Sequence, residues 1–230
     1  MNRSSLGLYL VTDSRFCAGR DLVEVVVEAV RGGVTIVQLR EKEASTRDFV
    51  ELARALKDVL RDKQVPLLIN DRIDVALAVD ADGVHIGQSD MPYDVARKRL
   101  GPNKIIGLSV ENHQQVVDAN GLDCDYIGVS PVFATPTKTD TATPFGLDGL
   151  REAVRTSIHP SVAIGGMNLQ TAASVMACGT DGIAVVSAIM GADDPCPQIQ
   201  AVILIGCQDV HIGVIGKIAA ALIIAQRGEH

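Results

Sequence analysis

The sequence has no C-x-x-C pair, no long apolar run and no excess of basic residues, and each absence removes a class of protein. Five cysteines (Cys17, Cys124, Cys178, Cys196 and Cys207) are widely scattered and odd in number. That spacing suits neither a zinc site nor a disulfide framework and fits a reducing, cytoplasmic setting. No apolar stretch reaches the roughly 18 residues of a membrane span; the most apolar one, "IGVIGKIAAALIIA", is broken by Lys217. The opening "MNRSSLGLYLVTD" runs straight into a strand-like segment, without the layout of a signal peptide. A formal net charge of −7 argues against a partner such as nucleic acid or an anionic membrane, both of which call for a basic footprint. It leaves room for a small basic pocket that takes a phosphorylated metabolite. Also missing are a G-x-G-x-x-G turn after the first strand-like run, where "VTDSRF" stands instead, and any Ser-His-Asp arrangement.

What is present is a regular alternation of short apolar runs with amphipathic segments, in 230 residues of which 47% are hydrophobic and 21% charged. Strands are predicted at 8–12, 35–39, 67–70, 83–86, 105–109, 126–129, 161–164 and 182–186. Their apolar character is nearly continuous, as in strands covered on both faces. Between them lie helical patterns such as "LVEVVVEAVRGG" and "TRDFVELARALKDVLRDK", the second with Ser45 or Thr46 as its N-cap, the first closed by Gly32-Gly33. Strand–helix units repeated in this way predict an α/β fold, a single-domain (β/α)8 TIM barrel, in preference to a doubly wound open sheet.

A barrel puts its chemistry at the C-terminal strand ends. After the second strand, "QLREK" sets Gln38, Arg40 and Lys42 on one side of an extended chain and Leu39 and Glu41 on the other. Two cations and an amide there suit an anion. The third and fourth strands end in "INDR" and "HIGQSDMP", offering Asn70, Asp71, Gln88, Ser89 and Asp90. Two carboxylates from neighbouring strand ends suit Mg²⁺, which is held by one or two acids with waters and substrate phosphates. The fifth strand offers Ser109. The seventh ends "AIGGMN", where Gly165-Gly166 lets backbone N–H groups approach a ligand and Asn168 can cap the next helix; the eighth offers Ser187 at a helix start. These features point to two phosphorylated small-molecule substrates, one of them a diphosphate. His85 reads as a buried structural side chain within its strand, and Asp80 and Asp82 as residues of the turn before it. The loop "SPVFATPTKTDTATPFG" (130–146) is long for a compact domain and rich in threonine, so it is either a solvated linker or an anion-binding loop.

In this order, "YLVTD", "VQLREK", "LLINDRIDVALAVDADGVHIGQSDMP", "IIGLSVEN", "DYIGVSPVFATPTK", "AIGGMN" and "GTDGIAVVSAI" resemble the thiamine-phosphate synthase family over about residues 6 to 195. The resemblance implies a cytoplasmic transferase of thiamine biosynthesis. It would join 4-amino-5-hydroxymethyl-2-methylpyrimidine diphosphate to a thiazole phosphate by a dissociative, Mg²⁺-assisted substitution that releases diphosphate. Carried over by position, Gln38, Leu39, Arg40, Glu41, Lys42, Asn70, Ser109 and Lys138 would hold the pyrimidine diphosphate. Asp71 and Asp90 would hold the metal, and Thr135, Pro136, Thr137, Gly166, Val186 and Ser187 the thiazole phosphate. Arg40, Lys138 and Ser109 are the expected catalytic groups. The long loop would then sit between the two substrates.

The resemblance ends near Pro195. A barrel over 1–195 is therefore expected, followed by a divergent segment, 196–230, in place of the family's amphipathic closing helix. Its apolar character also allows a homo-oligomer contact or an aggregation-prone edge. Two other readings stand beside the synthase: a thiazole tautomerase-like isomerase, against which Lys138, Asp71 and Asp90 count, and a non-catalytic phosphate-binding barrel.

Overall fold

In a computed structural model, which describes residues 3–134, 143–196 and 199, the chain forms a closed barrel of eight parallel strands in sequence order. The strands are β1 (Leu8–Val11), β2 (Ile36–Leu39), β3 (Leu67–Asn70), β4 (Gly83–Ile86), β5 (Ile105–Val110), β6 (Tyr126–Val129), β7 (Ser161–Ile164) and β8 (Gly182–Val185). β8 pairs with β1, which closes the ring. Every strand lies within one residue of its predicted ends, because each is a short apolar run bounded by charge or glycine. The helices among the described residues are α1 (Leu22–Gly32), α2 (Thr46–Arg61), α3 (Ile73–Ala78), α4 (Tyr93–Leu100), α5 (His113–Ala119), α6 (Gly146–Thr156), α7 (Ala172–Met176) and α8 (Ser187–Met190). The Ser45 hydroxyl caps α2 by accepting from the Asp48 N–H, and Gly33 ends α1 in the left-handed conformation at φ 114°.

Alternation along each strand divides the apolar residues in two. Leu8, Leu10, Val37, Leu39, Leu67, Ile69, Val84 and Ile86 face the helices and form the main core. Tyr9, Val11, Ile36, Leu68, Tyr126, Val162 and Ala184 face inward and fill the barrel. A single device repeats at the N-terminal rim. The residue just before each even-numbered strand accepts a backbone N–H from the strand before it. Thr35 Oγ1 takes Leu8, Asp82 takes Leu67, Asp125 takes Ile106 and Asp181 takes Ser161, at 2.9–3.0 Å. The turn role expected for Asp80 and Asp82 is seen here; Asp80 pairs with Lys104 and Lys57 beside them.

Of the expected divergent segment 196–230, only Cys196 and Ile199 are described. Both pack on the end of α1, where a Cβ at Gly32 would come within 3.1 Å of each, and Ile199 is fully buried.

Candidate active site

The C-terminal ends of the strands surround one cavity of about 620 Å³. Gln38, Arg40, Lys42, Asn70, Asp71, Asp90, Ser109, Gly166, Val186 and Ser187 all line it. Gln88, Ser89, Gly165 and Asn168, also singled out from sequence, line it too. The two groups of ligand-binding residues expected from sequence therefore share one continuous space, with charged side chains on the β2–β4 side and glycines and a helix start on the β7–β8 side.

Local geometry explains how each is presented. Arg40 follows β2; its N–H is held by Thr12 Oγ1 at 3.0 Å and its guanidinium lies 3.4 Å from Asp13. Asp13 is buried. Burial alone would raise its carboxyl, but the hydrogen bonds and charge of Arg15, with the charge of Arg40, hold it below the ordinary value. A fixed carboxylate thus steers Arg40 while Lys42 stands exposed at the rim. Leu39 and Glu41 project elsewhere, as the alternation required. Leu39 is fully buried against the helices, and Glu41 accepts a hydrogen bond from Ser14 at 3.0 Å. Neither residue lines the cavity, whereas Gln38, Arg40 and Lys42 of the same run do; the physical reason is the period of two in an extended chain.

Asp71 adopts a left-handed conformation, φ 60°, with its N–H held by the His85 carbonyl at 2.9 Å. Asp90 keeps one carboxylate oxygen on the Gly87 N–H at 2.7 Å. Burial, then the hydrogen bond and charge of Asp90, push the Asp71 carboxyl up to about 6, while Lys42 pulls it down. Two oxygen-only donors that repel each other in a half-buried rim match a hard divalent cation, which would relieve the repulsion. The residues fit Mg²⁺.

On the opposite side, Gly165 and Gly166 both have positive φ, 99° and 71°, and a Cβ on either would collide with Pro131 or Phe133. The start of the threonine-rich loop is laid on this turn: Val132 N–H donates to the Ile164 carbonyl at 2.8 Å and Phe133 N–H to that of Gly165 at 3.2 Å. Asn168 Oδ1 accepts from the Gln170 and Thr171 N–H groups in the turn before α7. The N-cap of that helix is Thr171, without a side-chain cap, so Asn168 braces the turn and does not supply the helix cap expected of it. Ser187 opens α8 and lines the cavity together with Val186 and Ala188. Thr135, Pro136, Thr137 and Lys138 lie outside the described residues.

Sequence reasoning missed the floor of the cavity. His85 is buried as expected, yet it also lines the cavity, with Nε2 2.8 Å from Ser109 Oγ and Nδ1 2.8 Å from the Tyr126 hydroxyl. Tyr126 meets Tyr9, which accepts from Gln38. The signal was two of only three tyrosines standing at inward positions of strands, with glycines at neighbouring inward positions.

Fold and site together define a (β/α)8-barrel enzyme that acts on phosphorylated small molecules. The family model described as thiamine monophosphate synthase matches residues 8–189, and the chain belongs to that family. Relatives called thiamine-phosphate synthase include one from Vibrio campbellii, 56% identical over 191 residues (82% of this chain and 92% of the relative). Another, from Albidiferax ferrireducens, is 58% identical over 193 residues, 84% of this chain and 88% of its own. The solved structure of thiamine phosphate pyrophosphorylase from Pyrococcus furiosus superposes with a TM-score of 0.83 at 41% identity, covering 91% of this chain and 99% of that one. At 17% identity, 3-hexulose-6-phosphate synthase shares the fold, with a TM-score of 0.63.

Proposed function

We infer that the cavity binds both substrates of thiamine-phosphate synthesis side by side, with a division of labour between its two walls. As a member of its family the chain is a transferase that releases diphosphate. In this reading Arg40, Lys42, Asn70 and the loop residue Lys138 hold the pyrimidine diphosphate, and Gln38 and Ser109 hold its ring. Asp71 and Asp90 hold Mg²⁺. Gly166, Val186 and Ser187, with Thr135, Pro136 and Thr137, hold the thiazole phosphate. The single observation that carries the reading is the placement of Arg40, Lys42 and the paired carboxylates Asp71 and Asp90 around one cavity with the Gly165-Gly166 turn and Ser187.

When bound, Mg²⁺ supplies charge neutralisation for the departing diphosphate. The leaving group gains charge as its carbon–oxygen bond stretches, so Arg40 and Lys138 act most strongly in the transition state. Asp13 holds the Arg40 guanidinium ready for that role. The thiazole nitrogen attacks with its own lone pair and needs no general base. Accordingly His85, pushed down to about 4 by burial against the pull of Asp90, serves as a neutral hydrogen-bonding group.

The test is one assay on purified full-length protein with both phosphorylated substrates. Thiamine phosphate is detected after oxidation to its fluorescent thiochrome form, with and without EDTA. Product that appears with Mg²⁺ and disappears with EDTA is the expected result. A folded, monodisperse sample that makes none would overturn the reading and favour an isomerase or a non-catalytic barrel.

A further inference from the structure

Arg20 stands on the loop that leads from β1 to α1, outside the residues that line the cavity. The chain turns sharply just before it, with Ala18 at φ 52° and Gly19 at φ 85°. As the turn closes, the Arg20 N–H and its Nε both donate to the Cys17 carbonyl, each at 3.0 Å. The side chain is thereby tied to its own loop, and its two terminal nitrogens serve a distant one. Nη2 donates to the Met190 carbonyl at 2.5 Å and Nη1 to the Ala192 carbonyl at 2.7 Å. Each nitrogen of this half-buried guanidinium thus rests on a backbone carbonyl.

The last carbonyls of a helix have no partner within it, and an arginine can supply one. Arg20 does so at the end of α8. The turn itself is closed by Ile189 and Met190 N–H on the Val186 carbonyl, by Gly191 N–H on that of Ser187 and by Ala192 N–H on that of Ile189. A Cβ on Gly191 would come within 2.9 Å of the Ser187 carbonyl, so the turn is tight. Nucleating one turn of helix costs more than its few hydrogen bonds return, so α8 is held where tertiary contacts put it. Buried Ile189 and Met190 supply one such contact and Arg20 the other. At 1.5 Å per residue, Ser187 is only about 4.5 Å along the axis from Met190. Whatever fixes the Met190 carbonyl therefore fixes the end of α8 at which Val186, Ser187 and Ala188 line the cavity.

The β1–α1 loop acts on both walls in this way. Asp13 at its start steers Arg40, and Arg20 at its end holds α8.

We propose that Arg20 is a positioning residue for the thiazole phosphate: its guanidinium clamps the end of α8 to the β1–α1 loop and so sets where Val186 and Ser187 meet the phosphate. The proposal rests on the assignment of that phosphate to Val186 and Ser187, and extends it to a residue outside the cavity. A planar fork is what the task requires, since three carbonyls in fixed places must be met at once. A lysine ammonium is a point charge that cannot span them.

The first arm of the test needs no turnover. It is hydrogen exchange followed by mass spectrometry on the full-length protein, with inorganic phosphate as the probe. In Arg20→Gln the amides of residues 189–192 should exchange about 10-fold faster or more, while those of β2 and β3 keep their rates. Unchanged exchange in a folded variant would overturn the clamp. Phosphate should slow the same amides in the wild type and should need a higher concentration in the variant. If phosphate protects them in neither protein, the phosphate assignment falls, and the proposal with it. The second arm is kinetic, with both phosphorylated substrates. The KM for thiazole phosphate should rise about 10- to 100-fold in Arg20→Gln, as misplacing a binding group by about 1 Å predicts, while the KM for the pyrimidine diphosphate stays put. Arg20→Lys keeps the charge and one carbonyl, so it should fall between wild type and Arg20→Gln in both arms. It also carries the test if Arg20→Gln fails to fold. Equal losses for the two substrates, as general loosening of the barrel would give, would overturn the proposal.

Discussion

Replacing Asp71 by asparagine removes one of two carboxylates that repel each other, and does so without strain, because asparagine accepts the left-handed backbone found there. The consequence can be worked out in sign and size. In the metal-free protein the Asp71 carboxyl is raised from 3.8 to about 6, first by burial and then by Asp90. The folded state therefore holds this proton more tightly than the unfolded chain. Below about pH 4 both states are protonated and the residue costs nothing. As pH rises through 6 the folded protein must carry a disfavoured charge, and stability declines. The full difference corresponds to about 3 kcal/mol, and water at the half-open rim reduces it to about 1–2 kcal/mol. Asp71→Asn should thus leave stability unchanged near pH 4 and raise it above pH 6, where the melting temperature should gain about 2–8 °C. Magnesium should reverse the order, since a cation bound to the wild-type pair adds about 2.7 kcal/mol at a hundredfold excess over its dissociation constant and has little to bind in the variant. The assay is urea unfolding followed by far-ultraviolet circular dichroism across this pH interval, with EDTA or with Mg²⁺. Parallel pH curves for the two proteins without metal, or equal stabilisation of both by Mg²⁺, would refute the reasoning.

Two further outcomes follow from packing at the other levels of the barrel. Gly107→Ala should destabilise by about 3 kcal/mol, because its methyl would overlap the Tyr126 ring; urea unfolding of the double variant with Tyr126→Leu should recover much of that loss, and additive effects would contradict the fit. Among the residues that latch the N-terminal rim, Asp125→Ala should cost about 2 kcal/mol and Asp82→Ala about 1 kcal/mol. Asp125 accepts from both Ile106 N–H and Arg97, at 2.9 and 3.1 Å, while Asp82 is itself exposed and accepts from the Leu67 N–H, at 2.9 Å. Thermal unfolding that ranks them the other way would show the latch to be wrongly apportioned.

The sequence by itself determined the strands, the barrel and the rim residues, for a physical reason. Each strand is a short, two-sided apolar run, so its ends are marked wherever charge or glycine begins, as at Asn70 and at Gly83. A parallel barrel gathers all C-terminal strand ends at one rim, so Arg40, Asp71, Asp90 and Ser187 could be assigned to one place without coordinates. Alternation also separated Arg40 from Leu39 and Glu41, which read as a block only when the run 38–42 is taken whole. What the tertiary structure alone decided is the relation between strands far apart in sequence. Nothing local in "GLYLV" or "CDYIGV" says that Tyr9 and Tyr126 meet, because the closing of β8 on β1 brings them across the barrel. The pairing of Asp13 with Arg40, the repulsion between Asp71 and Asp90, and the glycines that admit Tyr126 to His85 are likewise contacts between separate strand ends or strands. Hydrogen-bond pairing and carboxylate repulsion depend on distances of a few ångströms, and only closure of the barrel sets those.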